Sequence, residues 1–313
     1  MDRQGLIRAG DHRAIAALMR DLDDARPGAE AELRAVLAAA KTPPPFVVGI
    51  TGPPGAGKST IVDALCARWR TAGQPVGIVA VDPSSPTGGG AILGDRIRMQ
   101  AHATDPGVFI RSLATRGASG GLSASAAHVV AVLGAGGFST VLVETVGVGQ
   151  VEVDIATAAD ITVAVMVPGL GDDVQTLKAG LLEIADVLVI NKADRPGADR
   201  TAADLAAMLE LRCATGGALS DVELVRVIAT SGDGIPALHA ALERRRAAPS
   251  DERRRRRARL RLEQLAVARV GAAVRAAFLV GGAGVDLVDD VVSGRLDSGT
   301  AADVLMSRLG GRY

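Results

Sequence analysis

Short apolar runs rich in β-branched residues punctuate the middle of the chain: Phe46–Ile50, Val76–Val81, Val108–Arg111, Val141–Val143, Ile161–Val167, Val187–Ile190 and Leu224–Ile228. Several are apolar throughout, as strands covered on both faces are. Longer amphipathic stretches of helical period separate them. Such alternation predicts an α/β fold with a doubly wound, mostly parallel sheet. Ligands of these sheets bind at the carboxyl ends of the strands. Residues 1–41 are helical in pattern, with Leu6, Ile7, Ile15, Leu18 and Met19 and then Leu33, Val36 and Leu37 in register. Pro43-Pro44-Pro45 makes a stiff break. Beyond about residue 245 a strongly helical segment runs to about Phe278, Gly281–Gly284 interrupts it, and two short helical pieces follow. The chain therefore divides into an N-terminal helical extension (1–45), an α/β domain (46–245) and a C-terminal helical part (246–313).

Composition narrows the function classes. The 313 residues are 48% hydrophobic but only 2% aromatic, so the core must be built from Ala, Val, Leu and Ile. Lys plus Arg and Asp plus Glu both number 35. A nucleic-acid partner leaves a basic imbalance, and none is expected here. Cys66 and Cys213 are too few for a disulfide scaffold and read as buried thiols. The first residues are charged, with no apolar signal core, and no apolar run approaches the roughly 18–20 residues of a membrane span. A cytoplasmic protein without a membrane partner is the expectation. The runs Arg244–Arg246 and Arg253–Arg257 read as a solvated helix face, an acidic partner surface being the sharper alternative. Gly281–Gly284 reads as a hinge, because no strand–glycine–helix context surrounds it.

The first chemical motif follows the first apolar run. Gly52-Pro53-Pro54-Gly55-Ala56-Gly57-Lys58-Ser59 fits the phosphate-binding P-loop, with Thr60 opening a helical pattern. Glycines let backbone N–H groups wrap phosphates, and the following helix adds its positive end. Lys58 supplies a point charge to the β- and γ-phosphates, and Ser59 a hydroxyl to Mg²⁺. A second motif, Asn191-Lys192-Ala193-Asp194, follows the run Val187–Ile190. A carboxylate at Asp194 can accept from both the ring N–H and the exocyclic amine of guanine. Adenine presents no such donor pair, so the ligand is GTP or GDP. Lys192 can lay its stem along the base.

Three acids end other runs or sit in a glycine-rich loop: Asp82, Asp95 and Glu144. Hydrolysis needs an oriented water and a neutralising cation, and these are the acids positioned to supply them, with Ser59 completing the metal set. Glu144-x-x-Gly147 stands where many GTPases have D-x-x-G, whose Gly N–H senses the γ-phosphate. Val148, not Gln, follows Gly147, so the usual water-orienting glutamine is missing at that step; Gln150, two residues on, is the alternative, and slow intrinsic turnover is expected unless a partner completes the site.

Together these motifs resemble the MeaB/ArgK family of P-loop GTPases, related to the metallochaperone GTPases. The resemblance rests on Val81–Pro86, Ile92–Met99, Asp105–Ser112, Ala114–Gly117, Glu144–Gln150, Pro168–Asp173, Gln175–Gly180 and Asn191–Ala198. It implies a GTPase chaperone of an adenosylcobalamin-dependent acyl-CoA mutase, most often methylmalonyl-CoA mutase, gating cofactor loading and protecting the mutase. It implies a homodimer whose C-terminal part is a helical dimerisation arm. It places Asp95 in a first mobile switch and Glu144–Gln150 in a second. A third, partner-facing switch would hold Gly171, Asp172, Asp173, Gln175 and Lys178, and Ser231 and Gly232 would support the base. Other readings are a transport-system kinase, which would not require guanine selectivity, and a nucleotide switch with negligible hydrolysis. The four histidines are scattered and no C-x-x-C occurs, which argues against nickel insertion.

Overall fold

A computed structural model of the chain describes residues 2–82, 102, 104–114, 121–145, 159–169, 185–214, 222–248, 251–279 and 281–310. Two compact units emerge, Met1–Arg257 and Ala258–Tyr313.

Seven strands form one parallel sheet in the first unit: β1 (Phe46–Thr51), β2 (Val76–Asp82), β3 (Val108–Ala114), β4 (Thr140–Thr145), β5 (Ile161–Met166), β6 (Val187–Asn191) and β7 (Glu223–Val227). Each apolar run of the sequence is one of them. Their order is β3-β2-β4-β1-β5-β6-β7, all pairs parallel. The chain winds from β1 toward one edge and, after β4, toward the other, so β1 lies at the reversal where doubly wound sheets bind ligands.

Uniformly apolar strands still alternate by face. Val48, Ile50, Leu142, Val163, Val165, Val187 and Val189 join a core with Ile61, Leu65 and Trp69 of α4 (Lys58–Thr71) and Leu238 and Leu242 of α7 (Ile235–Ala247). On the opposite face Val47, Val79, Val81, Val141 and Val143 meet α1 (Arg3–Arg8), α2 (His12–Asp23), α3 (Ala29–Ala39) and α5 (Gly121–Ala135). Beside them, Ala164, Met166, Leu188 and Ile190 pack on α6 (Ala198–Ala214). The N-terminal helices thus lie within the core of one face. Ile7, Ile15 and Leu18 are wholly buried, and Arg111 of β3 pairs with Asp23 of α2. Two aspartates fasten the strand starts: Asp160 accepts from the Val47 N–H at 2.9 Å and Asp186 from the Thr162 N–H at 2.7 Å. N–H groups at the starts of these interior strands are satisfied this way.

Helix α8 (Asp251–Ala277) supplies the start of the second unit, followed by α9 (Val285–Val292) and α10 (Ser298–Leu309). The unit's small core joins Ala277, Leu287, Ala301, Leu305 and Leu309. Asp297 caps α10 through the Gly299 and Thr300 N–H groups. The glycine stretch read as a hinge is a tight turn: the Gly284 N–H donates to Ala277 O at 2.9 Å, and a Cβ on Gly282 would lie 2.2 Å from that oxygen. Leu262, Val267, Leu279 and Val292 are exposed. No helix among the described residues is long and apolar enough to cross a membrane.

Candidate functional site

The P-loop joins the end of β1 to α4. Gly52 has φ +142°, and a Cβ there would stand 2.2 Å from Val165 O of β5, so only glycine lets the chain leave the sheet at this point. Gly57 (φ +87°) lies against the Asn191 side chain, whose Nδ2 a Cβ would meet at 2.3 Å. The N-cap of α4 is Gly57, which has no side chain to cap the first turn, so the helix opens on a glycine backbone. That is the arrangement of an anion cradle. Pro53 and Pro54 bring no N–H, which leaves the donors to Gly55 and the residues after it. Lys58 is buried, its Nζ donating to Gly52 O at 2.7 Å and Pro53 O at 3.0 Å.

Beside the cradle, Ser59 Oγ donates to Glu144 Oε1 at 2.6 Å across 85 residues of sequence. Glu144 is 2% exposed. The sheet order places β4 next to β1 and thereby sets this carboxylate against the first turn of α4. On the sheet's other face, Thr145 Oγ1 donates to Thr51 Oγ1 at 3.3 Å.

The second motif, Asn191–Asp194, stands at the end of β6. Asn191, 2% exposed, turns its side chain into the protein. Its Nδ2 donates to Ala56 O at 2.7 Å, and its Oδ1 accepts from the Ala229 N–H at 3.1 Å. One amide thus ties the phosphate loop to the turn after β7. Lys192 adopts a left-handed backbone (φ +57°), and its Nζ donates to Gly55 O at 2.7 Å. Its stem therefore lies across the gap between the two loops. Asp194 is exposed. Ser231 and Gly232 sit in the turn between the Ile228–Asp233 bridge residues. Both their N–H groups donate to Ile228 O, and Ser231 Oγ donates to Asp233 Oδ2. The turn depends on Gly234, where a Cβ would come within 2.0 Å of Arg226 O.

The structure thus brings together Gly52 through Thr60, Glu144, Asn191, Lys192 and, through Asn191, the loop of Ser231 and Gly232. Asp82 ends β2, but its side chain lies outside the described residues, as do Asp95, Gly147, Gly171, Asp172, Asp173, Gln175 and Lys178. Unforeseen from sequence is a bracket behind the site. Helices α4 and α7 follow the phosphate and base loops, and at their far ends Trp69 Nε1 donates to Glu243 Oε1 at 2.8 Å. His239 lies 5.0 Å from the Trp69 ring, and its burial lowers its pKa. Cys66, on α4, is buried, and desolvation pushes its thiol up to about 12.

The family model described as methylmalonyl-CoA mutase-associated GTPase MeaB matches residues 13–278. A Pyrococcus horikoshii protein named "Putative GTPase PH0274" is 42% identical over 312 residues, 98% of this chain and 97% of its own length. GTPase ArgK of Escherichia coli is 46% identical over 147 residues, 47% of this chain and 44% of its own. The fused isobutyryl-CoA mutase of Cupriavidus metallidurans is 41% identical over 208 residues, 65% of this chain and 19% of that much longer protein. The crystal structure of a LAO/AO transport system kinase superposes with a TM-score of 0.68 at 23% identity, covering 98% of this chain and 96% of that one, and shares the fold.

Proposed function

The chain belongs to the MeaB family of mutase-associated P-loop GTPases, and from that membership we propose that it is a Mg²⁺-dependent, slowly hydrolysing GTPase that chaperones an adenosylcobalamin-dependent acyl-CoA mutase. GTP hydrolysis and guanine-nucleotide binding come with the family. The observation that carries the nucleotide part of the proposal is the Asn191 amide, bonded at once to the phosphate loop and the base loop. It makes one site of two distant motifs.

The oxygen-only pair Ser59 Oγ and Glu144 suits a hard cation such as Mg²⁺. Bound there, held by Ser59 and Glu144, with Asp82 and Asp95 as further candidates, it would neutralise charge on the phosphate oxygens. The protein's own residues do the rest. Cradle N–H groups and Lys58 hold the phosphates, Lys192 covers the base and Asp194 accepts from guanine. Val148 in place of glutamine supports slow turnover until a partner completes the site.

The mutase assignment draws on the fused mutase of Cupriavidus, where a related segment shares one polypeptide with a mutase. Residues Gly171 to Lys178 are the proposed partner-facing switch. A homodimer through the C-terminal helices is part of the proposal, supported by the exposed Leu262, Val267, Leu279 and Val292 on a unit with a small core. The proposal places the protein in the cytoplasm. The test is GTP turnover with and without candidate acyl-CoA mutases, with binding measured directly. A several-fold stimulation by one mutase is expected. Tight binding to an unrelated protein and to no cobalamin mutase would reject the chaperone role.

A further inference from the structure

Backbone pairing between β1 and β4 runs from Phe46↔Thr140 to Ile50↔Glu144. The next rung would join Thr51 to Thr145, the last residues of the two strands. Side chains supply it: the Thr145 hydroxyl donates to the Thr51 hydroxyl, and both residues are wholly buried. Thr51 is in phase with Val47, and Thr145 with Val141 and Val143, so the pair lies on the sheet face of α1–α3 and α5. Glu144, in phase with Leu142, points to the opposite face, where Ser59 meets it. Two hydroxyl groups facing each other on the apolar side of a sheet are costly unless they pair, and valine would fill either position without that cost.

We propose that Thr51 and Thr145 are positioning residues: their hydroxyl bridge closes the β1–β4 ladder from behind and fixes the separation between the P-loop and the Glu144 carboxylate. The chain leaves Thr51 directly into Gly52, and Glu144 immediately precedes Thr145, so the bridge joins the bases of both elements. It touches neither nucleotide nor cation. Its effect is on the cation site, because that site alone needs both sides of the bridge: Glu144 stands on β4, and Ser59 opens α4 at the end of the loop that leaves β1. The phosphate grip lies within that loop and α4, and the base grip on β6 and the turn after β7.

The inference rests on the cation site proposed at Ser59 and Glu144, and the experiment separates the two. GTP hydrolysis at saturating GTP is titrated with Mg²⁺ for the wild type, Glu144→Gln, Thr145→Val, Thr145→Ser, Thr51→Val and the double valine variant. Thr145→Val should raise the half-saturating Mg²⁺ about tenfold, with KM for GTP at saturating Mg²⁺ moving less than about threefold. Thr145→Ser should recover most of the loss. The double valine variant should be no worse than either single one, because each removes the same bond. Thr51→Val gives the same reading if Thr145→Val does not fold. A wild-type rate indifferent to Mg²⁺, or unchanged Mg²⁺ dependence in Glu144→Gln, would remove the cation site and the inference with it. A normal cation response in the wild type, with folded valine variants of unchanged half-saturation or additive effects, would overturn the inference alone.

Discussion

Replacing Asn191 by alanine tests whether the two loops of the nucleotide site are held by that one amide. The substitution deletes a donor 2.7 Å from Ala56 O and an acceptor 3.1 Å from the Ala229 N–H. Both of these groups belong to buried residues, Ala56 at 0% and Ala229 at 8% exposure. A buried polar group left without a partner costs about 1–3 kcal/mol, so two would cost about 2–6 kcal/mol. Water entering the vacated volume relieves part of this, because the loops border the open mouth of the site. A loss of about 2–4 kcal/mol is the expected result. Trp69, the chain's one tryptophan and wholly buried, makes denaturant unfolding readable by fluorescence. At unchanged slope the midpoint should fall by that loss divided by the slope. Asn191→Asp should be at least as harmful, since it sets a carboxylate oxygen against the Ala56 carbonyl. GTP affinity should fall together with stability in both variants. A stability loss under about 0.5 kcal/mol in Asn191→Ala, the level of an ordinary surface change, would refute the tie.

Two further outcomes follow from the same geometry. Gly52→Ala should cost more than about 3 kcal/mol or prevent folding, whereas Gly55→Ala, with φ +73° and open space around it, should cost only about 1–2 kcal/mol of backbone strain; the same fluorescence-detected unfolding distinguishes them. Burial lowers the pKa of His239 below the ordinary 6.5, so the folded state disfavours the imidazolium. The stability this represents is present above the ordinary value and is lost as pH falls through the lower folded one. Midpoints measured below pH 6.5 should therefore decline, and His239→Gln should flatten that part of the decline.

The strands were legible because burial on both faces forces runs such as Val187–Ile190 to be apolar throughout. The P-loop and Asn191–Asp194 were legible because their chemistry is local, with glycines and polar residues at fixed spacing beside a strand end. The strand order was not. That β4 inserts between β2 and β1 is decided by packing among segments far apart in sequence, and the Ser59–Glu144 contact depends on it. The inward role of Asn191 was equally hidden. Its sequence context points to the nucleotide, and only the turn after β7 shows what its oxygen accepts. The Trp69–Glu243 and Thr51–Thr145 bonds span 174 and 94 residues, and no local pattern announces either. The N-terminal helices showed their period, but which sheet face they cover depends on partners such as Phe109 and Phe138.

The bracket formed by α4 and α7 bears on how the proposed site would hold its nucleotide. In the proposed site one helix starts after the phosphate loop and the other after the base loop, and Trp69 and Glu243 join them at the far end. With a guanine nucleotide bound as proposed, such a pair of arms would act as a caliper, one jaw on the phosphates and one on the base. GDP and GTP share that span. On the proposed binding mode the caliper would therefore register occupancy alike in both states. The distinction between them is left to the contacts of the third phosphate, which can be tuned without resetting the jaws.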